Sequence, residues 1–210
     1  QYGKASGSII MNDFISIIIP VLNEPYLPTL LKEIDRLCFY PHEILIREEK
    51  GLGYAVSQGI KRSKGNLLLV MDGDGAHSPV YINSLVNCIV QQGYDIAIGS
   101  RYVIGGKTQD SFIRKVISRI YCEFAKELFG LSVQDNMSGF IVAKKEVFMK
   151  YPISNLGFKF GLELLVKSKG TFKAVEFPIV FEQRKAGKSK ANYKEAFHTL
   201  WFMFKLRCAD

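Results

Sequence analysis

The stretch Leu67-Leu68-Leu69-Val70-Met71-Asp72-Gly73-Asp74-Gly75 joins five apolar residues to two carboxylates separated by one glycine. An apolar run of this length that ends in turn residues is typical of a buried strand in a parallel sheet. Open α/β sheets bind their ligands beyond the carboxyl ends of the strands. Asp72 and Asp74 would lie at such an end, and two hard oxygen ligands suit Mg²⁺ or Mn²⁺ that carries substrate phosphates. The alternative interpretation is a turn in which Asp and Gly have only a conformational role.

The composition is that of a globular domain with a basic surface. The chain has 210 residues, of which 48% are apolar, and this is enough for one domain with a sizeable core. We find no apolar run near the ~18 residues of a membrane-spanning helix and no secretory signal. The four cysteines lack metal-binding spacing, so most are expected in the core.

The formal net charge is +8, which favours an anionic partner. A phosphorylated ligand, an acidic membrane surface and a nucleic acid all have the required charge. No recognisable nucleic-acid-binding motif accompanies the basic residues, so we expect no nucleic-acid partner.

Strands and helices alternate along most of the chain. The predicted strands cover residues 14–19, 43–46, 67–71, 95–99, 138–142 and 175–181, and the predicted helices cover 26–37, 51–64, 79–90, 112–129, 158–166 and 192–207. This alternation predicts a doubly wound, largely parallel sheet with right-handed crossovers. We divide the chain into a flexible leader (1–12), one α/β domain (13–190) and a C-terminal amphipathic helix (191–210). That helix could lie in a membrane interface or pack on the protein's own sheet.

Two basic groups are candidates for phosphate binding. Arg114 and Ser118 share one face of a predicted helix that also carries Arg119, and Arg101 follows a predicted strand. Two guanidiniums and a hydroxyl suit a phosphate monoester, although a basic helix face is often merely solvated. Residues 184–190 contain glycine and several cations, so this loop could close over a diphosphate or be an ordinary basic surface loop.

Two further features are less informative. Gly51-Leu52-Gly53 opens a predicted helix whose N terminus could attract an anion. The dinucleotide fingerprint is absent because position 56 is Val, and no P-loop follows a strand, so we exclude both kinds of site. His77 could support the acidic pair or be an ordinary loop histidine.

Seven motifs occur in one colinear order between Phe14 and the end of the chain. They are Ile18–Glu24, Gly51–Ala55, Val70–Asp74, Ile98–Tyr102, Ile117–Arg119, Asp135–Phe140 and Gly187–Lys190. Together they resemble the motifs of family 2 glycosyltransferases, most of all the dolichyl-phosphate and other polyprenyl-phosphate mannosyltransferases. The resemblance implies the GT-A fold, an α/β fold with a single doubly wound, mostly parallel sheet flanked by helices.

The resemblance also implies a reaction, in which mannose moves with inversion from GDP-mannose to the phosphate of a membrane polyprenol. Asp72 and Asp74 would hold Mg²⁺ or Mn²⁺, and Arg101, Arg114 and Ser118 would grip the acceptor phosphate. That phosphate is already ionised at pH 7 and can attack without a general base. The protein would then act in the cytoplasm, bound peripherally to the cytoplasmic face of a membrane.

The donor pocket implied by the resemblance is larger. It comprises Pro20, Leu22, Glu24, Gly53, Asp72, Gly73, Asp74, Arg184, Ser189 and Lys190. Two alternatives stay open: a polyprenyl-phosphate glucosyltransferase that uses UDP-glucose, and a catalytically inactive GT-A subunit that only binds.

The chain departs from the family pattern at two places. A Gln or similar metal ligand usually stands where this chain has Ala76. The family's second strand normally ends in an acidic, base-reading turn that is followed by a helix and a third strand, and here Leu45 runs directly into Ile46. Either this unit has been lost or the sequence lacks residues that the protein has. We favour the second explanation, because parallel strands need a crossover of about a dozen residues.

Overall fold

The computed structural model describes residues 13–154, 159–185 and 193–209. The strands in these ranges are β1 (Ile15–Pro20), β2 (His42–Arg47), β3 (Leu67–Val70), β4 (Ile96–Ser100), β5 (Lys107–Thr108), β6 (Ile141–Lys144), β7 (Ala174–Pro178) and β8 (Val180–Phe181). The helices are α1 (Leu27–Leu37), α2 (Leu52–Arg62), α3 (Ile82–Val90), α4 (Phe112–Phe129), α5 (Lys145–Lys150), α6 (Phe160–Ser168) and α7 (Tyr193–Ala209). A 3₁₀ turn over Pro79–Tyr81 leads into α3.

The central sheet has six strands in the order β2-β1-β3-β6-β4-β7. Strand β6 runs antiparallel to its neighbours β3 and β4, and the other pairings in this sheet are parallel. The predicted mostly parallel α/β architecture is therefore confirmed. The carboxyl ends of the five parallel strands and the amino end of β6 meet at one edge of the sheet, which we call the ligand edge.

Beside the predicted central sheet, β5 and β8 form a small two-stranded sheet that the sequence did not indicate. The predicted strand 175–181 is split by Ile179, whose buried side chain joins the core. The Ile179 amide donates to the carbonyl of Ser100, and its carbonyl accepts from the Lys107 amide. The polar loop after Arg101 is thereby drawn into strand pairing, which its sequence does not indicate.

Two apolar cores cover the two faces of the central sheet. In β1 and β3, the side chains of Ile18, Leu68 and Val70 join the core that also contains α2, α4 and α6. The alternate side chains, among them Ile17 and Leu69, join the core beneath α1 and α3. Because both faces of these strands are buried, they appear in the sequence as continuous apolar runs.

The segment around Leu45 and Ile46 forms one uninterrupted strand. Within β2, Leu45 pairs with Ile18 and Ile46 pairs with Ile19, in the same register as the rest of the strand. The chain then passes through Glu48–Gly51 into α2 and returns to β3 on the other side of β1. In the structure the two predicted strand ends belong to a single strand at the edge of the sheet, so this segment needs no second crossover. The presence of additional residues between Leu45 and Ile46 stays a prediction.

The C-terminal helix α7 is present, and its inner residues Phe202, Met203 and Leu206 are buried in the core on the α2 side. Its Trp201 and Phe204 remain exposed. The predicted leader 1–12 lies outside the described residues. Among the helices of the described ranges, none combines the length and apolarity required to cross a bilayer.

Three of the four cysteines are buried, and this gives a test of the core. Burial raises the pKa of the thiols of Cys38 and Cys88. Burial and, to a smaller extent, the negative charge of Asp135 raise the pKa of the Cys122 thiol to about 12. Cys208 is exposed. We therefore expect one thiol to react quickly with Ellman's reagent at pH 8, because the reagent needs an accessible thiolate.

The measurement is the number of thiols that react in the native protein and in denaturant. The Cys208→Ser variant should lose the fast phase in the native state and keep three reactive thiols when denatured. Fast reaction of a second thiol in the native protein would contradict the described core.

Candidate active site

Asp72 and Asp74 lie on the loop that follows β3 at the ligand edge. The amide of Met71 donates to the carbonyl of Ile18 at 3.2 Å, so the pairing with β1 continues to the start of this loop. A Cβ at Gly73 would lie 2.6 Å from Cγ1 of Val21, and Gly75 has a φ of +81°. Both glycines are therefore required by the conformation of the loop, which brings the two carboxylates close to the loop after β1.

The two carboxylates form one wall of a cavity of about 220 Å³. The cavity is lined by Pro20, Val21, Leu22, Glu24, Glu49, Gly51, Leu52, Ala55, Asp72, Gly73, Asp74 and Arg184. Seven of the ten predicted donor-pocket residues are thus brought together. Gly53 is buried in the first turn of α2, next to the lining residues Gly51 and Leu52. Ser189 and Lys190 lie outside the described residues.

The side chain of Arg184 reaches Asp74 across the cavity. Its Nε lies 3.0 Å from Oδ2 of Asp74, and the Lys185 amide donates to the Asp74 carbonyl at 3.0 Å. The Glu182 amide donates to the carbonyl of Ala76 at 3.0 Å. Backbone hydrogen bonds therefore hold the segment after β8 against the acidic loop, with a cation directed at the carboxylate.

His77 is a buried neighbour of the acidic pair. Its Nδ1 accepts a hydrogen bond from the Asp72 amide at 3.0 Å, and its ring stacks on Phe140 with the centroids 4.9 Å apart. Burial lowers the pKa of His77, with the nearby carboxylates acting in the opposite direction. The geometry favours a neutral imidazole that accepts this bond and orients the backbone of Asp72, so His77 supports the acidic pair through the main chain.

Arg101 follows β4 and is bound by the carboxylate of Asp135, a pairing that the sequence did not indicate. Its Nε and Nη2 donate to the two oxygens of Asp135 at 2.8 and 2.7 Å, and its amide donates to the same side chain at 2.8 Å. Asp135 is fully buried, and Glu176 accepts hydrogen bonds from the amides of Gln134 and Asp135. Burial alone would lower the pKa of Arg101, but the hydrogen bonds and charge of Asp135 raise it above its usual range, so the side chain stays cationic.

The remaining candidates for phosphate binding, Arg114, Ser118 and Arg119, lie along α4. Arg119 pairs with Glu123 at 2.9 Å, and its guanidinium lies 4.9 Å from the ring centroid of Tyr102. Arg101 contacts the same ring at 4.9 Å. Burial raises the pKa of the Tyr102 phenol, and the nearby charge of Arg101 acts in the opposite direction. Arg101 and Arg119 thus converge on one tyrosine.

Arg114 lies one helical turn before Ser118 on α4. Its Nη1 is 3.9 Å from Oδ1 of Asp110. Because residues four apart share a helix face, Arg114 and Ser118 point to the same side of α4.

Phe181 connects the acidic loop to the cationic cluster. Its ring lies 5.4 Å from the His77 ring and 5.3 Å from the guanidinium of Arg101. Since His77 binds the Asp72 amide, only one aromatic side chain separates the surroundings of Asp72 from those of Arg101. The site therefore has an acidic half and a cationic half in close proximity.

The acidic half suits a divalent cation that shares its coordination with a substrate. The Asp72 carboxylate is partly exposed, and the two hydrogen bonds that Asp74 accepts leave lone pairs available. No group of three His, Cys, Asp or Glu side chains in the described part of the chain is arranged to hold a metal. Mg²⁺ commonly binds through one or two carboxylates together with phosphates and water, so this donor set fits. Ala76 is buried and offers no side-chain ligand.

The family model described as glycosyl transferase family 2 matches residues 37–152, which is more than half of the chain. The chain belongs to glycosyl transferase family 2. This result agrees with the resemblance carried by the seven motifs, two of which, Ile98–Tyr102 and Asp135–Phe140, supply the Arg101–Asp135 pair.

Two curated proteins are similar to this chain. A dolichol-phosphate mannosyltransferase from Pyrococcus furiosus is 39% identical over 171 residues, which are 80% of this chain and 48% of that protein. A polyprenol monophosphomannose synthase from Mycolicibacterium smegmatis is 34% identical over 157 residues, covering 70% of this chain and 59% of that protein. The chain thus spans about half the length of these relatives.

The fold also occurs in solved structures. Glucosyl-3-phosphoglycerate synthase from Mycobacterium tuberculosis, in complex with Mn²⁺, UDP and glucosyl-3-phosphoglycerate, superposes with a TM-score of 0.72 at 14% identity. The match covers 94% of this chain and 80% of that one. At this identity the likeness shows the GT-A fold alone, which confirms the predicted fold class.

The Arg101–Asp135 pair gives a test of the cationic half of the site. We expect Asp135→Asn to lower the free energy of unfolding by about 3 kcal/mol, because it leaves a largely buried guanidinium without its counter-charge. The measurement is urea denaturation at pH 7. Glu123→Gln is a matched control: it removes a partner of Arg119 in a half-exposed pair and should cost less than about 1 kcal/mol. Equal effects of the two variants would contradict the described burial of the pair.

Proposed function

We propose that this chain transfers mannose from GDP-mannose to the phosphate of a polyprenol such as dolichyl phosphate. The carrying observation is the adjacency of the two halves of the site across Phe181. A carboxylate-lined cavity on one side suits a metal-bound diphosphate, and a fixed arginine on the other side suits a phosphate acceptor. The names of the two curated relatives support the transfer of mannose to a polyprenyl phosphate.

In the proposed reaction, a phosphate oxygen of the acceptor forms a bond to C1 of the sugar. The bond between C1 and the diphosphate oxygen breaks, and the nucleoside diphosphate leaves with the electron pair, so that C1 is inverted. The acceptor's second pKa is about 6, and it is therefore largely dianionic at pH 7. No general base is required, and catalysis depends on positioning and charge stabilisation.

On the donor side, Asp72 and Asp74 would hold Mg²⁺ or Mn²⁺. Bound there, the metal would act as a Lewis acid that stabilises the charge of the leaving diphosphate. Arg184 lies beside Asp74 and can contribute a second positive charge to the same group. Pro20, Leu22, Gly73 and Glu24 would form the walls of the nucleotide pocket. Ser189 and Lys190, which follow Arg184 in the sequence, are proposed to join the donor site.

On the acceptor side, Arg101 would bind the lipid phosphate. Asp135 uses Nε and Nη2 of the guanidinium and fixes its plane, so that the remaining donors have a defined direction. Ser118 and Arg114, from the same face of α4, would supply further donors. Holding this phosphate in line with C1 is the role that we assign to the cationic half.

A second candidate function is favoured by the shape of the sheet. Strand β2 is an edge strand, and the family's additional strand and helix do not follow it. A domain without this base-reading unit could bind a phosphorylated lipid without transferring a sugar. If transfer does occur, we expect the loop Glu48–Gly51 to contact the base. Its Glu49 lies in the cavity wall and pairs with Arg47.

The deciding experiment is a transfer assay with purified protein and Mn²⁺. GDP-mannose and UDP-glucose are each offered with a polyprenyl phosphate, and the lipid-linked sugar is separated and quantified. Product from GDP-mannose supports the proposal, and product from UDP-glucose alone points to the glucosyltransferase. Absence of product with both donors, together with retained binding of the lipid phosphate, supports the non-catalytic candidate.

We expect Asp74→Asn to lower kcat by about 10²- to 10⁴-fold, because the metal contributes several kcal/mol of charge stabilisation. Mn²⁺ binding, measured by electron paramagnetic resonance, should weaken in parallel. Asp35→Asn on α1 removes an exposed carboxylate away from the ligand edge and should leave both quantities unchanged. Near-normal transfer by Asp74→Asn would eliminate the metal assignment.

A further inference from the structure

Helix α4 carries an apolar surface that the described part of the protein does not cover. Phe112, Ile113 and Ile120 expose 79%, 70% and 61% of their surface, and Val116, Ile117 and Phe124 are also exposed. Their spacing places all six on one side of the helix. We call this surface the α4 outer face; part of it lines a shallow groove of about 580 Å³.

The opposite side of α4 is the side that packs on the protein. Cys122, Ala125 and Phe129 are buried at helical spacing, and Arg114 and Ser118 continue the same line towards the N terminus of the helix. The apolar residues of the α4 outer face are therefore not the ones by which this helix packs on the core, because Cys122, Ala125 and Phe129 on the opposite side already do so. A patch of six exposed apolar residues is unusual for a surface in contact with water alone.

The charges on α4 are unevenly distributed along the helix. Arg114, Lys115 and Arg119 lie within its first eight residues, where there is no carboxylate. The first acidic residue, Glu123, is paired with Arg119 and Lys126. The part of the helix with the most exposed apolar side chains is thus also its most basic part.

We propose that the α4 outer face inserts into the headgroup region of an anionic bilayer. Aromatic and aliphatic side chains on one side of a basic helix suit that environment, where such helices lie in the plane of the interface at a depth of about 5–10 Å. The basic residues complement anionic lipid headgroups. A second copy of this chain fits less well, since it would bring an equally basic segment of a chain of net charge +8 against the first.

This orientation would place the site at the membrane surface. With the α4 outer face in the bilayer, the opposite side of α4, which carries Arg114 and Ser118, faces Arg101 and Tyr102. The phosphate of a lipid could reach these residues without leaving the membrane interface. In this respect the inference rests on the proposed function and deepens it, because it assigns membrane contact to α4. Membrane binding itself needs no donor and no turnover, so the two can be tested separately.

The test is co-sedimentation of the whole chain with vesicles of phosphatidylcholine containing about one third phosphatidylglycerol. We expect the double variant Ile113→Ser/Ile120→Ser to weaken binding about 10- to 100-fold, because two exposed apolar side chains no longer enter the bilayer. Binding by the unaltered protein should fall in high salt and with pure phosphatidylcholine. Circular dichroism checks that the helix content is unchanged.

The matched control is Phe39→Ser/Met149→Ser, which removes two comparably exposed apolar side chains (79% and 66%) at the opposite edge of the sheet. It should bind vesicles like the unaltered protein. Equal losses in both double variants, or no binding by the unaltered protein, would overturn the proposal. So would a concentration-dependent dimer that only the α4 variant abolishes, because the face would then be an interface between copies.

A second measurement separates this inference from the proposed function. Mannosyl transfer to a short, water-soluble prenyl phosphate requires the site and no membrane. Unchanged transfer to this acceptor by the α4 double variant, together with lost vesicle binding, supports the inference. Vesicle binding by a protein without transferase activity would refute the proposed function and leave the inference intact. Transfer by a protein that does not bind vesicles would support the proposed function and refute the inference.

Discussion

The burial of β1 and β3 on both faces is the constraint on which the rest of the structure depends. Leu67–Val70 lie between two apolar cores, and five of the six residues of β1 are buried. Polar side chains are costly along such strands unless they are bonded, as Ser16 is to Glu43. Charged groups are therefore concentrated where the strands end, and Asp72 and Asp74 occupy the first positions at which β3 can accommodate them.

The ligand edge combines two different ways of holding charge. Asp74 is held by hydrogen bonds from Ala76 and by Arg184, on a loop whose glycines allow close packing. Arg101 is held by a fully buried carboxylate, whose own amide is bound by Glu176 on β7. The first arrangement leaves one carboxylate accessible from the cavity, whereas the second fixes the direction of a guanidinium. The proposed reaction between two phosphorylated substrates would use both.

Helix α4 illustrates how one element can serve two environments. Its inner line contributes to the core and to the cationic cluster, while its outer face displays aromatic and aliphatic side chains. The sequence of helix α7 is compatible with membrane contact, but in the structure this helix buries Phe202, Met203 and Leu206. Its Trp201 and Phe204 are exposed, whereas its inner side packs on the protein core.

The local pattern of the sequence was enough to identify the order of strands and helices, the parallel architecture and the position of the acidic pair. Apolar runs and helical spacing are properties of neighbouring residues, so they can be recognised without the fold. Tertiary structure alone decided the partners: Asp135 is 34 residues from Arg101, and β5 pairs with β8 more than 70 residues away. It also decided that residues 42–47 form a single edge strand, and that about half of the apolar residues of α4 are exposed in the described part of the chain. Such pairings depend on which surfaces the folded chain brings together, and no local spacing encodes them.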